Sequence, residues 1–152
     1  MKIQTLGEVI DLTRRMHQRL GECLGQSASE TGQTSERWLL AYLAEHETAL
    51  ANMVSEFESS ADANALQTWV YDYLSRAPID PARVCDPSYA ELDSEEIGRA
   101  ILDFHNQVMA MYGDLLSRAK IPETRELLGS LLDMERHETL RLAQQMNFGR
   151  DL

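Results

Sequence analysis

Four long stretches of this chain repeat apolar residues three and four apart. They fall into two pairs, separated by a middle rich in proline, and that arrangement constrains the fold more than any other feature. The first stretch predicts a helix from Ile3 to Leu24, with a stripe through Leu6, Val9, Ile10, Thr13, His17, Leu20 and Leu24 and with Gly25 as its stop. After the polar loop QSASETGQTS, a second helix is expected from Glu36 to Phe57, N-capped by Thr34 or Ser35. Its stripe is Leu39, Leu43, His46, Leu50, Met53, Val54 and Phe57. The third starts after Asp93, where DSEE reads as a capping box closed by Glu96, and carries Ile97, Ile101, Phe104, His105, Val108, Tyr112 and Leu115 on one face. The fourth has Pro122 at its first position, a stripe of Leu127 or Leu128, Leu131, Glu135, Glu138, Leu142 and Met146, and Gly149 as its end.

Short loops join the first helix to the second and the third to the fourth, so each pair should close as an antiparallel hairpin. Between the pairs, ADANALQTWVYDYLSRA reads as a shorter amphipathic helix presenting Leu66, Trp69, Val70, Tyr73 and Leu74. The following PIDPARVCDPSYAELD holds three of the chain's 4 prolines and must be irregular. This middle is long enough to cross the bundle. The expectation is an all-α, up-down four-helix bundle of two hairpins joined by a long crossover, in one domain spanning residues 1–152. A weak internal echo, AEHETAL in the second helix and ERHETL in the fourth, fits a pseudo-twofold pair of hairpins.

Charge excludes some functions. With 25 acidic against 14 basic residues the formal net charge is −11, which argues against a nucleic-acid or anionic-membrane surface. No apolar run approaches the length that spans a bilayer, and MKIQTLGEVI lacks the apolar core of a secretory signal. The expected location is therefore cytoplasmic. Cys23 and Cys85 stand far apart in no CxxC pattern, and are read as unpaired structural thiols of a reduced chain. No Gly-rich phosphate loop, G-x-S-x-G elbow or H-E-x-x-H motif occurs.

The chemistry concentrates in polar residues that interrupt the apolar seams. At about 100° per residue, His17, His46 and His105 lie on or beside their stripes, whereas His137 points outward with Asp133 and Arg141. Glu135 and Glu138 take leucine-like positions on the fourth helix, three apart and on one face. Glu47 lies at the edge of its stripe and could join them. Burying unpaired carboxylates costs a few kcal/mol. Compensation must come from a metal, from histidinium partners, from protons or from water. Imidazole nitrogen with carboxylate oxygen suits iron, manganese or zinc. The metal-free alternative is a buried network in which the glutamates pair with His17 and His105. A modest rotation of the fourth helix would instead send Glu138 to solvent. Trp38, Tyr42 and Trp69 are read as covering the crossover or a dimer face.

The two hairpins, the single crossover and the mid-bundle polar groups resemble the ferritin-like superfamily, rubrerythrins and bacterioferritins included, and an uncharacterised bacterial branch of it in particular. The resemblance covers most of the chain as architecture. It implies a metal centre with one Glu on each of two helices and Glu-x-x-His on each of the other two. Here the second helix reads Leu43-Ala44-Glu45-His46 and the fourth Glu135-Arg136-His137-Glu138, so family ligands carry over to His46 and Glu135. His17 and His105 stand where the family has glutamates. The expected site is thus His17, His46, His105, Glu135 and Glu138, holding iron, manganese or zinc as a mononuclear or dinuclear centre for redox or oxygen and peroxide handling. The alternative is a non-enzymatic, metal-free binding or regulatory module that has kept the fold. In either case a homodimer without nucleic-acid or membrane partners is expected.

Overall fold

A computed structural model describes residues 3–70 and 80–151, with side chains through residue 146. Helix α1 spans Leu6–Glu30 and α2 spans Thr34–Ser60. A single turn, α3, spans Ala63–Leu66, and α4 (Ser94–Arg118) and α5 (Pro122–Asp151) form the second hairpin. The described residues are an all-α bundle of two antiparallel hairpins joined by a crossover. Within them extended pairing is limited to one isolated bridge, Thr5 to Trp69.

Local chemistry explains the helix starts. Thr5 and Glu8 form a reciprocal capping box at α1, and Asp93 and Glu96 do the same at α4, as the sequence predicts for α4. Pro122 opens α5 as expected. At α2 the expected caps fail. Gln33 holds the N-cap position without a side-chain bond, because the Ser35 hydroxyl is spent on the Glu36 carboxylate at 2.6 Å. That carboxylate also accepts from Ser94 Oγ at 3.0 Å, which ties the start of α2 to the start of α4.

The stops predicted at glycine also differ. α1 runs through Gly25 and takes up the first five residues of the expected loop, and α5 runs through Gly149. Glycine ends a helix when it turns left-handed, and no described glycine has positive φ. The added turn of α1 is held by Gln26 Nε2 donating to Glu30 Oε1 at 2.8 Å.

The amphipathic helix expected after α2 is cut to the four residues of α3. Beyond it the backbone turns to serve the start of α1: Thr68 accepts from the N–H of Leu6 at 2.9 Å, and the Val70 N–H donates to Gln4 at 2.8 Å. The first bond satisfies one of the donors that a helix start leaves open. Tyr73 and Leu74, expected on the same helix, lie outside the described residues. The crossover resumes in two 3₁₀ turns, Pro81–Arg83 and Tyr89–Glu91. Tyr89 is buried and its hydroxyl donates to the Val84 carbonyl at 2.7 Å.

The cysteines correct the sequence reading. Cys23 of α1 and Cys85 of the crossover are joined in a disulfide with their Cα atoms 5.8 Å apart. The crossover folds back along α1, so residues 62 apart in sequence become neighbours. A disulfide is the habit of oxidising surroundings and replaces the expected reduced pair.

One apolar core fills the bundle, from Leu6, Ile10 and Leu20 of α1 to Ile101, Tyr112 and Leu131 of the second hairpin. The α1–α2 hairpin is closed tightly at Gly21, where a Cβ would stand 2.9 Å from Thr48 Oγ1 and 3.2 Å from the Ala44 carbonyl oxygen. No described helix is long and apolar enough to cross a membrane.

Candidate metal centre

Four polar side chains are fully buried at mid-height, one from each long helix: His17, Glu47, His105 and Glu135. Each interrupts a seam of leucine-like residues. In α2 the fully buried positions are Leu40, Leu43, Glu47, Leu50 and Val54, a run alternating three and four apart with the glutamate at its centre. Helical register therefore drives the Glu47 carboxylate inward between apolar neighbours.

Glu47 is the hub. His105 Nε2 approaches its two oxygens at 2.7 and 3.0 Å. From the other side His17 Nδ1 stands 3.4 Å from Glu47 Oε2, an ion-pair contact outside hydrogen-bond geometry. The far nitrogen of each ring has a partner of its own. His17 Nε2 bonds Glu135 Oε1 at 2.8 Å, and His105 Nδ1 bonds Thr139 Oγ1 at 3.0 Å. Two imidazoles thus aim their inner nitrogens at one carboxylate while an outer oxygen fixes each ring, an orienting arrangement typical of metal-binding histidine. His17, Glu47 and His105 offer ligand atoms that all lie within 4.8 Å of one another.

The expected residues divide. His17 and His105 meet in this group, and Glu135 reaches it through His17. His46 and Glu138 form a separate, outer pair, with His46 Nε2 3.3 Å from Glu138 Oε2, and Glu138 also takes Arg141 Nη1 at 3.3 Å. The His46 ring stacks over His105 at 6.2 Å between centroids, so the outer pair roofs the buried group. A cavity of about 280 Å³ lined by Tyr42, His46, Arg141, Gln144 and Gln145 opens above it. His137 is exposed, as its register predicts. Glu47, an edge residue in the sequence reading, is central, and it rather than His46 is the inward residue of α2. The three-and-four run through Leu40 and Val54 was the signal that places it.

Electrostatics are strong in this dry setting. Burial alone would lower the pKa of His17, but the Glu135 and Glu47 carboxylates on either side raise it to about 10. Burial would raise that of Glu47, yet His105 and His17 hold it well below the ordinary carboxylate range. The His46 imidazole is lowered, chiefly by burial. Tyr112, whose hydroxyl shares a hydrogen bond with Thr13, is raised by burial and by the nearby Glu135 charge.

The residues fit a metal ion on the chemistry of their donors. Two imidazole nitrogens and a carboxylate form the 2-His-1-carboxylate set that suits divalent iron and leaves coordination positions open. Among the described residues three buried polar atoms have no hydrogen-bond partner: His17 Nδ1 and Glu135 Oε2 in the buried group and His46 Nδ1 in the outer pair. A divalent ion, two carboxylates and two neutral imidazoles also sum to zero charge, which removes the cost of buried net charge.

No protein-family profile matches the chain, and no curated protein sequence does. Among solved structures it is similar to a Thermotoga maritima protein described as ferritin-like and diiron-carboxylate. The TM-score is 0.60 at 11% identity, covering 94% of this chain and 95% of that one. The chain has the ferritin-like fold. That similarity speaks for the fold, and the buried His17, Glu47 and His105 place a set of metal-ligating side chains within it.

Proposed function

We propose that this protein binds one divalent metal ion through His17, Glu47 and His105 and uses it in redox handling of a small oxidant such as oxygen or peroxide. The observation that carries the reading is the convergence of the two inner imidazole nitrogens on the Glu47 carboxylate, each ring held from behind by Glu135 or Thr139. A redox-active ion such as iron or manganese would supply one-electron chemistry and open positions for a small ligand. The chain's own residues do the rest. Glu135 and Thr139 set ring orientation, the leucine seams exclude bulk water, and the His46–Glu138 roof stands between the site and the cavity above it. His17 would have to give up its proton to hold the ion, so metal affinity should rise with pH.

The test is metal content of protein grown with iron, manganese and zinc in turn, with thermal melts before and after chelation. The expected result is close to a single iron or manganese ion per chain and a lower melting temperature after chelation. Glu47→Gln should lose most of the metal. Metal-free protein from every growth, with a melt indifferent to chelator, would overturn the reading.

One observation favours a second reading. His17 lies between two carboxylates, 3.4 Å from Glu47 Oε2 and 2.8 Å from Glu135 Oε1, where a protonated ring would compensate buried charge without an ion. On that reading the network fixes helix register in a metal-free binding module, and chelator-indifferent melts are its expected result.

A further inference from the structure

A ladder of rings leads from the surface to the buried group. Trp38, Tyr42 and His46 lie four apart on α2 and so share one face. Trp38 and Tyr42 stack with centroids 5.6 Å apart and planes 7° from parallel. Tyr42 and His46 follow at 6.4 Å and 20°, and His46 and His105 at 6.2 Å and 26°. His105 then meets Glu47 at 2.7 Å and lies edge-on to His17, centroids 5.6 Å apart. The outer end is open, with Trp38 65% exposed, while the inner end is fully buried. An exposed tryptophan gains little by hydrophobic burial there, and helical spacing alone does not require successive planes to stay near parallel.

Indole and phenol are the aromatic side chains most easily oxidised by one electron, and here they are consecutive, with an imidazole bridging the last gap. We propose that Trp38, Tyr42 and His46 form a one-electron relay from a soluble reductant at the surface to the buried centre. The proposal rests on the preceding reading for its terminus. In the forward direction Tyr42 would give one electron, across His46 and His105, to an oxidised ion held by His17, Glu47 and His105, and its phenol proton would pass to solvent. Tyr42 regains an electron from Trp38 and a proton from solvent. Trp38 regains its electron from the external donor, a one-electron reductant of the enediol class such as ascorbate. The net change is one electron lost by the donor and one gained by the metal, with both aromatic residues restored.

The first arm of the test needs no metal. In a Trp69→Phe background Trp38 is the only indole, since the chain has 2 tryptophans. Flash photo-oxidation of metal-free protein by a ruthenium polypyridyl complex, followed by electron paramagnetic resonance, should show a tryptophanyl radical decaying as a tyrosyl radical grows. Tyr42→Phe should cut the tyrosyl signal by roughly tenfold. A tyrosyl signal unchanged by Tyr42→Phe or by Trp38→Leu overturns the relay. In the second arm, iron-loaded protein is oxidised and its reduction by ascorbate is followed optically. Trp38→Leu should slow reduction by about tenfold at equal iron content. Reduction at the unaltered rate with iron in place overturns the relay alone. Failure of the unsubstituted chain to take up metal overturns the preceding reading and the relay's terminus together, while the radical step remains decided by the first arm.

Discussion

Glu47 shows how one residue can organise an interior. Its carboxylate is buried among leucines and faces two imidazoles, so removing its charge leaves His17 and His105 without their shared partner. In metal-free protein Glu47→Gln should lower stability by about 3–5 kcal/mol, the usual result of breaking a buried charged pair from one side, measured by urea denaturation. The pH dependence follows from the same group. His17 has a raised folded pKa, so its stabilisation is full below its unfolded value of 6.5 and is lost as pH climbs through about 10. Glu47 has a depressed folded pKa, so its stabilisation is present above its unfolded value of 4.5 and is lost as pH falls. Below 6.5 the burial-lowered His46 imidazole costs stability, so the melting temperature of chelated protein should peak near 6.5 and fall on the alkaline side. His17→Gln should flatten that alkaline fall, and an equal fall in the variant would show that another group causes it. At this scale the sequence was partly legible. The stripe assignments brought His17, His105 and Glu135 to the interior, but they followed Leu39, Leu43 and His46 on α2. The buried run Leu40, Leu43, Glu47 shares Leu43 with that stripe but takes the next residue on from Leu39 and from His46, each about 100° further round the helix.

The elements differ in how fully the sequence specifies them. Starts built from side-chain caps were readable in part: Asp93 and Glu96 are three apart and Pro122 fixes its own φ, whereas the equally local Thr5–Glu8 box was missed and α1 starts at Leu6 rather than Ile3. Asp93→Ala should cost about 1 kcal/mol by removing the bond to the Glu96 N–H at 2.8 Å, visible as a lower midpoint in thermal melts. Stops were less readable. Gly25 and Gly149 end no helix, since the hairpin partner and the side chains beyond Gly25 carry α1 onward. The short α3 was also illegible, because the segment after it is claimed by backbone bonds to residues 4–6, some 60 residues away in sequence. Gly21 carries a different constraint: its missing side chain is what lets α1 and α2 approach. Gly21→Ala should therefore destabilise by roughly 1–3 kcal/mol despite alanine's better helix propensity. A neutral or stabilising result in denaturant would mean that Thr48 can swing away freely.

For the molecule as a whole, the two hairpins and their crossover followed from helix count, loop length and the proline-bearing middle, while the pairing of Cys23 with Cys85 did not. Nothing local links those positions, and only the return of the crossover along α1 brings them together. The bond joins residues 62 apart in sequence and closes a loop that includes all of α2 and α3. Replacing both cysteines with serine should cost about 4 kcal/mol through the freedom restored to the unfolded chain. Urea midpoints of the variant and the oxidised parent measure it, and equal midpoints would show that the crossover docks without the bond.

The same clasp has a consequence for where the molecule can serve. The strap it fastens carries Tyr89, whose pKa is raised first by burial and then by the nearby Glu47 charge. In thiol-rich surroundings the strap would be held by packing alone, and the interior beside Glu47 would lose its fastened cover. Compartment chemistry would then set how easily water reaches the bundle's acidic heart.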